Sequence, residues 1–123
     1  MHELSLALSL LRLVSEAASH AGASRVKRVM LDVGEGSGVH SEALTFCFQE
    51  AARGTLAEGA EILVKRVPLK LHCRHCLKTS SPSEFRLVCE ACGESTVDLC
   101  DGLDLSVSAI DIETENSLGV QDV

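Results

Sequence analysis

The chain has no tryptophan and no tyrosine, and aromatic residues make up only 2% of it. Aliphatic side chains must therefore fill the core, and the stacking platforms that single-stranded nucleic acids use are missing. Positive charge is also scarce. A formal net charge of −7 argues against a general nucleic-acid binder. The apolar start lacks the basic leader of a secretory signal: Glu3 stands where positive charge is expected, and Arg12 interrupts a run too short to span a bilayer. Without that signal, the six cysteines are expected in a reducing cytoplasm, as metal ligands and small core residues rather than disulfides. No phosphate loop is complete, because Gly34-Glu-Gly-Ser-Gly38 lacks the Gly-Lys-Ser/Thr ending and is read as a turn. No Ser-His-Asp set and no poised catalytic cysteine appears, so an enzyme is not expected.

Against these absences stands Cys73-Arg-His-Cys76, then twelve residues, then Cys89-Glu-Ala-Cys92. Each pair bends the backbone into a knuckle that aims two thiolates at one centre. Four thiolates suit a tetrahedral, redox-silent zinc ion with no position left for substrate, hence a structural site. Iron and redox-active dithiols are the alternatives, although the βαβ context of a thioredoxin-like motif is absent. His72 and His75 flank Cys73 as exposed or supporting groups, and Cys100, with no zinc position left to fill, is expected to be buried in a strand. The segment with Lys65, Arg66, Lys70, Arg74, Lys78 and Arg86 is locally basic. The region from Asp98 to Asp122 is acidic.

Periodicity orders the rest. Residues 3–20 predict a helix with Leu4, Leu8, Leu10, Leu11, Val14, Ala17 and Ala18 covering its apolar side and Gly22 ending it. Val29, Leu31 and Val33 alternate with Arg28, Met30 and Asp32, predicting a strand over 25–33. Ser41 is the expected N-cap of a second helix over 42–53, burying Leu44, Cys47, Phe48 and Ala51. Residues 60–67 and 103–112 predict two more strands, the latter with a bulge near Ser108 where the parity changes. Short strands at Phe85–Leu87 and Val97–Leu99 flank the second knuckle. The expected fold is α+β: a three-stranded sheet with two helices on one face, plus an inserted four-cysteine zinc-ribbon lobe. The corresponding domains are 1–68 with 103–113, then 69–102 for zinc, with 114–123 as a frayed tail.

A second metal signal opens the chain. Behind Met1, His2 is too large for the usual removal of the initiator, so the amine is expected to stay. That amine, the His2 backbone nitrogen and the His2 imidazole can close two fused chelate rings, an arrangement that favours square-planar Ni(II) or Cu(II); Glu3 could add an oxygen. The amine, with a pKa of roughly 8, gives up its proton readily to a metal near neutral pH. On spacing alone the signal is weak, since a histidine in second place is common by chance. His40, in the loop before the second helix, is either a solvated side chain or a further ligand.

Met1-His2-Glu3 before an apolar helix, Val29-x-Leu31-x-Val33-Gly34, Leu44-x-Phe46-x-Phe48 and the two cysteine pairs together resemble the HypA/HybF hydrogenase-maturation nickel chaperones, up to about Glu115. The resemblance implies nickel at His2, supported by the Met1 amine and Glu3, and structural zinc at Cys73, Cys76, Cys89 and Cys92. Where relatives often carry a carboxylate, this chain has His40, which could supply an imidazole. The resemblance further implies delivery of Ni(II), with a HypB-type GTPase, into the large-subunit precursor of [NiFe]-hydrogenase. Some members also serve urease, and a homodimer is compatible with the pattern. The competing expectation is a zinc-ribbon adaptor for nucleic acid or transcription machinery, which the locally basic lobe favours and the overall charge opposes.

Overall fold

A computed structural model describes residues 2–82 and 87–115. The elements run α1 (His2–His20), β1 (Ala23–Gly34), a short 3-10 turn (Glu35–Ser37), α2 (Ser41–Ala51), β2 (Glu61–Val67), β3 (Lys70–Cys73), β4 (Thr79–Ser80), β5 (Val97–Asp101) and β6 (Leu105–Thr114). They form two three-stranded sheets, in the orders β2-β1-β6 and β4-β3-β5. This is the expected α+β arrangement with a separate cysteine-bearing lobe. Among the described residues no helix is long and apolar enough to cross a membrane.

The chain packs as two compact units. One takes in the chain through Leu31, His40–Val64 and the chain from Ser106 on; the other takes in Asp32–Val39 and Lys65–Leu105. In the first, α1 buries Ala7, Leu10, Leu11, Val14 and Ala18, a set at helical spacing, and packs on α2 through Leu44 and Phe48. Leu4 and Leu8 were expected in the apolar face but remain 46% and 52% exposed. Val29 and Leu31 of β1 are fully buried, whereas Arg28 on the opposite parity is solvated. There Arg28 ties β1 to both neighbours, through Asp111 of β6 at 2.6 Å and Glu61 of β2 at 3.3 Å.

The second unit has little apolar material. Its buried aliphatic side chains among the described residues are Val33, Leu69 and Leu71, with the ring of Pro82, joined by Cys73 and Cys89. Burial on that scale rarely holds a lobe together without a cross-link such as a bound metal. Glycines bring its backbones close. The Gly34 N–H bonds the Asp104 carbonyl at 2.8 Å, and the Gly36 N–H bonds the Gly102 carbonyl at 2.7 Å. A Cβ at Gly34 would collide with the Gly102 backbone, so only glycine fits there.

Several expectations need correction. His40, not Ser41, caps α2, and Ser41 is its first helical residue. Cys100 is exposed rather than buried. Leu87 lies outside any strand, and the expected strand partner Phe85 falls outside the described residues. The last strand runs through Thr114, which was expected to begin the frayed tail; the tail beyond Glu115 lies outside the described residues.

Candidate metal centres

The four cysteines of the paired motif converge. Their Sγ atoms all lie within 4.8 Å of one another. Cys73 Sγ is 3.7 Å from Cys92 Sγ, and Cys76 Sγ is 3.5 Å from Cys89 Sγ. A tetrahedron with metal–sulfur bonds of 2.3 Å has sulfur–sulfur edges of about 3.8 Å, so these spacings fit one zinc ion and are far too long for disulfides.

Two matching backbone turns create this convergence. In the first knuckle the Cys73 N–H donates to the Lys78 carbonyl, and the Leu77 N–H donates back to the Cys73 carbonyl, both at 2.9 Å. In the second, Cys89 N–H donates to the Glu94 carbonyl and Gly93 N–H to the Cys89 carbonyl, both at 2.8 Å. Closing that ring requires a left-handed residue just after the second cysteine, and Leu77 (φ 67°) and Gly93 (φ 80°) supply it. The antiparallel register of β3 on β5, with Cys73 opposite Val97, supports the first knuckle from behind.

Amides aimed at sulfur prepare the first cysteine of each pair for ionisation. The Cys76 N–H, with that of His75, lowers the Cys73 thiol. The Cys92 N–H, with that of Ala91, lowers Cys89 to about 7. Cys92 behaves oppositely. The Glu94 N–H draws it down, but desolvation and the neighbouring sulfurs Cys73 and Cys89 push it up to about 12. Cys76 is raised as well: the Lys78 N–H draws it down, but desolvation and the sulfurs of Cys89 and Cys73 push it up. Four thiolates without a cation repel one another, so the second cysteine of each pair holds its proton more tightly until a divalent ion replaces it. His72 is half-buried and His75 exposed.

The residues at the start of the chain, expected to hold nickel, are arranged differently. Met1 lies outside the described residues. The His2 side chain is 65% exposed, with Nδ1 4.0 Å from Glu3 Oε2. As the first residue of α1, His2 has a backbone N–H without an intrahelical acceptor. Glu3 Oε2 also accepts the His40 N–H at 3.2 Å, and this bond is the main reason its carboxyl titrates below the ordinary range. His40 Nδ1 in turn accepts the Ala43 N–H at 3.1 Å, capping α2. A neutral imidazole that accepts at Nδ1 carries its proton on Nε2. In this conformation neither His40 nitrogen offers a free lone pair. Ser41 carries the capping signal in the sequence, and nothing there marks the Glu3–His40 bond.

The model of the family described as "Hydrogenase/urease nickel incorporation, metallochaperone, hypA" matches residues 1–112. The hydrogenase maturation factor HypA of Dechloromonas aromatica is 39% identical over 113 residues, covering 92% of this chain and 100% of the relative. The solution structure of the Ni metallochaperone HypA from Helicobacter pylori shares the fold with TM-score 0.70 at 23% identity, covering 92% of this chain and 98% of the other. A further solution structure of a HypA protein gives TM-score 0.72 at 24% identity, covering 94% and 98%.

Proposed function

Because the chain belongs to the HypA family of hydrogenase and urease nickel-incorporation metallochaperones, we propose that it binds Ni(II) at its N-terminus and hands it on. Members of this family are metallochaperones, not enzymes. The observation that carries the reading is the exposed His2 imidazole at the first turn of α1, beside the Glu3 carboxylate and a backbone amide free of helical hydrogen bonding. Nickel binds there through the Met1 amine, the His2 amide and imidazole, and a Glu3 oxygen. Deprotonating the His2 amide breaks no helical hydrogen bond. Glu3 keeps one oxygen for the metal while the other holds His40. His40 adds a second imidazole only by releasing its cap on Ala43.

The sulfur site has the opposite character. It is closed by four protein ligands and holds zinc permanently as a scaffold. Division between a closed sulfur site and an open nitrogen site lets one protein keep one ion and lend another. Release follows when a partner offers competing ligands. By the family resemblance the partners are a HypB-type GTPase and the hydrogenase large-subunit precursor, in the cytoplasm. Nickel X-ray absorption tests the ligand set: the reading predicts a shell of nitrogen and oxygen with one imidazole and no sulfur, and a sulfur shell contradicts it.

A further inference from the structure

The two knuckles share a backbone pattern but not a surface. Leu77 occupies the left-handed position that Gly93 fills in the second knuckle. Its side chain is 70% exposed, more than any other large apolar side chain among the described residues. A leucine here bears the steric penalty of positive φ and gains little burial in return. Strain of this kind persists where a surface is used.

The neighbours of Leu77 also differ between knuckles. Arg74, His75 and Lys78 are exposed around it, whereas the second knuckle exposes Glu90 and Glu94. Arg74 shares its charge with Asp98 at 3.6 Å, and Lys78 makes no ion pair among the described residues. A basic collar around one protruding leucine therefore sits on a chain of net charge −7.

We propose that the first knuckle is a docking surface for a protein partner with an acidic face and an apolar socket that receives Leu77. Charge complementarity selects that partner: an acidic face is attracted to Arg74 and Lys78 although the rest of this chain repels it. The bound zinc sets the knuckle and so presents the leucine. A chelated protein thus loses the surface along with the metal.

The choice of probes rests on the carrier reading: the purified GTPase and the purified hydrogenase large-subunit precursor, each titrated calorimetrically with zinc-loaded native protein, Leu77→Gly and Lys78→Glu. Leu77→Gly is expected to retain zinc and nickel, to melt no lower than native, and to bind one probe at least tenfold more weakly. Lys78→Glu is expected to weaken the same complex and flatten its salt dependence. Native affinity of Leu77→Gly for both probes overturns the proposal. So does a native protein that binds neither probe, and so does a loss of self-association in Leu77→Gly with both complexes unchanged, which makes the occupant a second copy. Nickel uptake read in the same samples separates the two ideas. Uptake without partner binding refutes the surface alone, and partner binding lost in Leu77→Gly without nickel uptake refutes the carrier alone.

Discussion

Leu77 and Gly93 hold equivalent places in the two cysteine knuckles, each with positive φ and each donating its N–H to the carbonyl of the first cysteine of its pair. Only one of them is built for the conformation. Replacing Leu77 with glycine relieves the left-handed penalty and loses little burial, because the side chain is 70% exposed. The expected outcome is unchanged zinc content and a gain of up to about 1 kcal/mol in thermal denaturation. A marked loss would show that the leucine packs within the lobe.

The cysteine-bearing unit is expected to depend on an ion held by its four sulfurs. With only Val33, Leu69, Leu71 and Pro82 as its buried aliphatics among the described residues, it has too little apolar burial to stand alone. Chelation, or Cys73→Ser, is expected to remove amide-exchange protection from β3 and β5 while α1 and α2 keep theirs. Acid acts in the same direction, because protons compete with the metal for thiolates. Zinc retention therefore falls as pH drops, and chelator competition at stepped pH measures it.

His40 tests capping against ligation. Asparagine can cap in its place, and alanine cannot. His40→Ala is expected to cost about 1 kcal/mol of stability, with His40→Asn near native. Both are expected to keep nickel, as calorimetry would show; loss of nickel in the asparagine variant would make His40 a ligand.

The Glu3 carboxylate has its own pH signature. Its titration lies below the ordinary 4.5, chiefly because the His40 N–H bonds the ionised form. A lowered carboxyl contributes stability that is present above the unfolded value and is lost as pH falls through the folded one. The stability difference between native protein and Glu3→Gln is therefore expected to shrink on acidification below that ordinary value of 4.5. Denaturant titrations at stepped pH read that difference, and one independent of pH would contradict it.

The sequence made the sulfur site legible because ligand spacing is local. Two Cys-x-x-Cys pairs define their own knuckles, and the structure brings them together. Strand parity was readable for the same reason: Val29 and Leu31 are buried and Arg28 is solvated. What escaped depends on contacts distant in the chain or on dihedrals. His40 displaced Ser41 as cap because its imidazole reaches the Ala43 N–H, and its own N–H finds Glu3 thirty-seven residues away. Cys100 was misread because alternation in a short strand of a small lobe does not guarantee a buried face; most of β5 is exposed. The left-handed Leu77 followed from the knuckle geometry, which composition does not display.

The central claim is that nitrogen at the chain's start carries nickel while sulfur holds zinc. Calorimetric titration of Ni(II) into native protein, His2→Ala and a form extended before Met1 tests it most directly. The account predicts one tight equivalent for the native protein, its loss in both variants, and the same zinc content in all three. Native-like nickel affinity in the extended form would contradict the amine as a ligand, and no nickel uptake by the native protein would contradict the carrier itself.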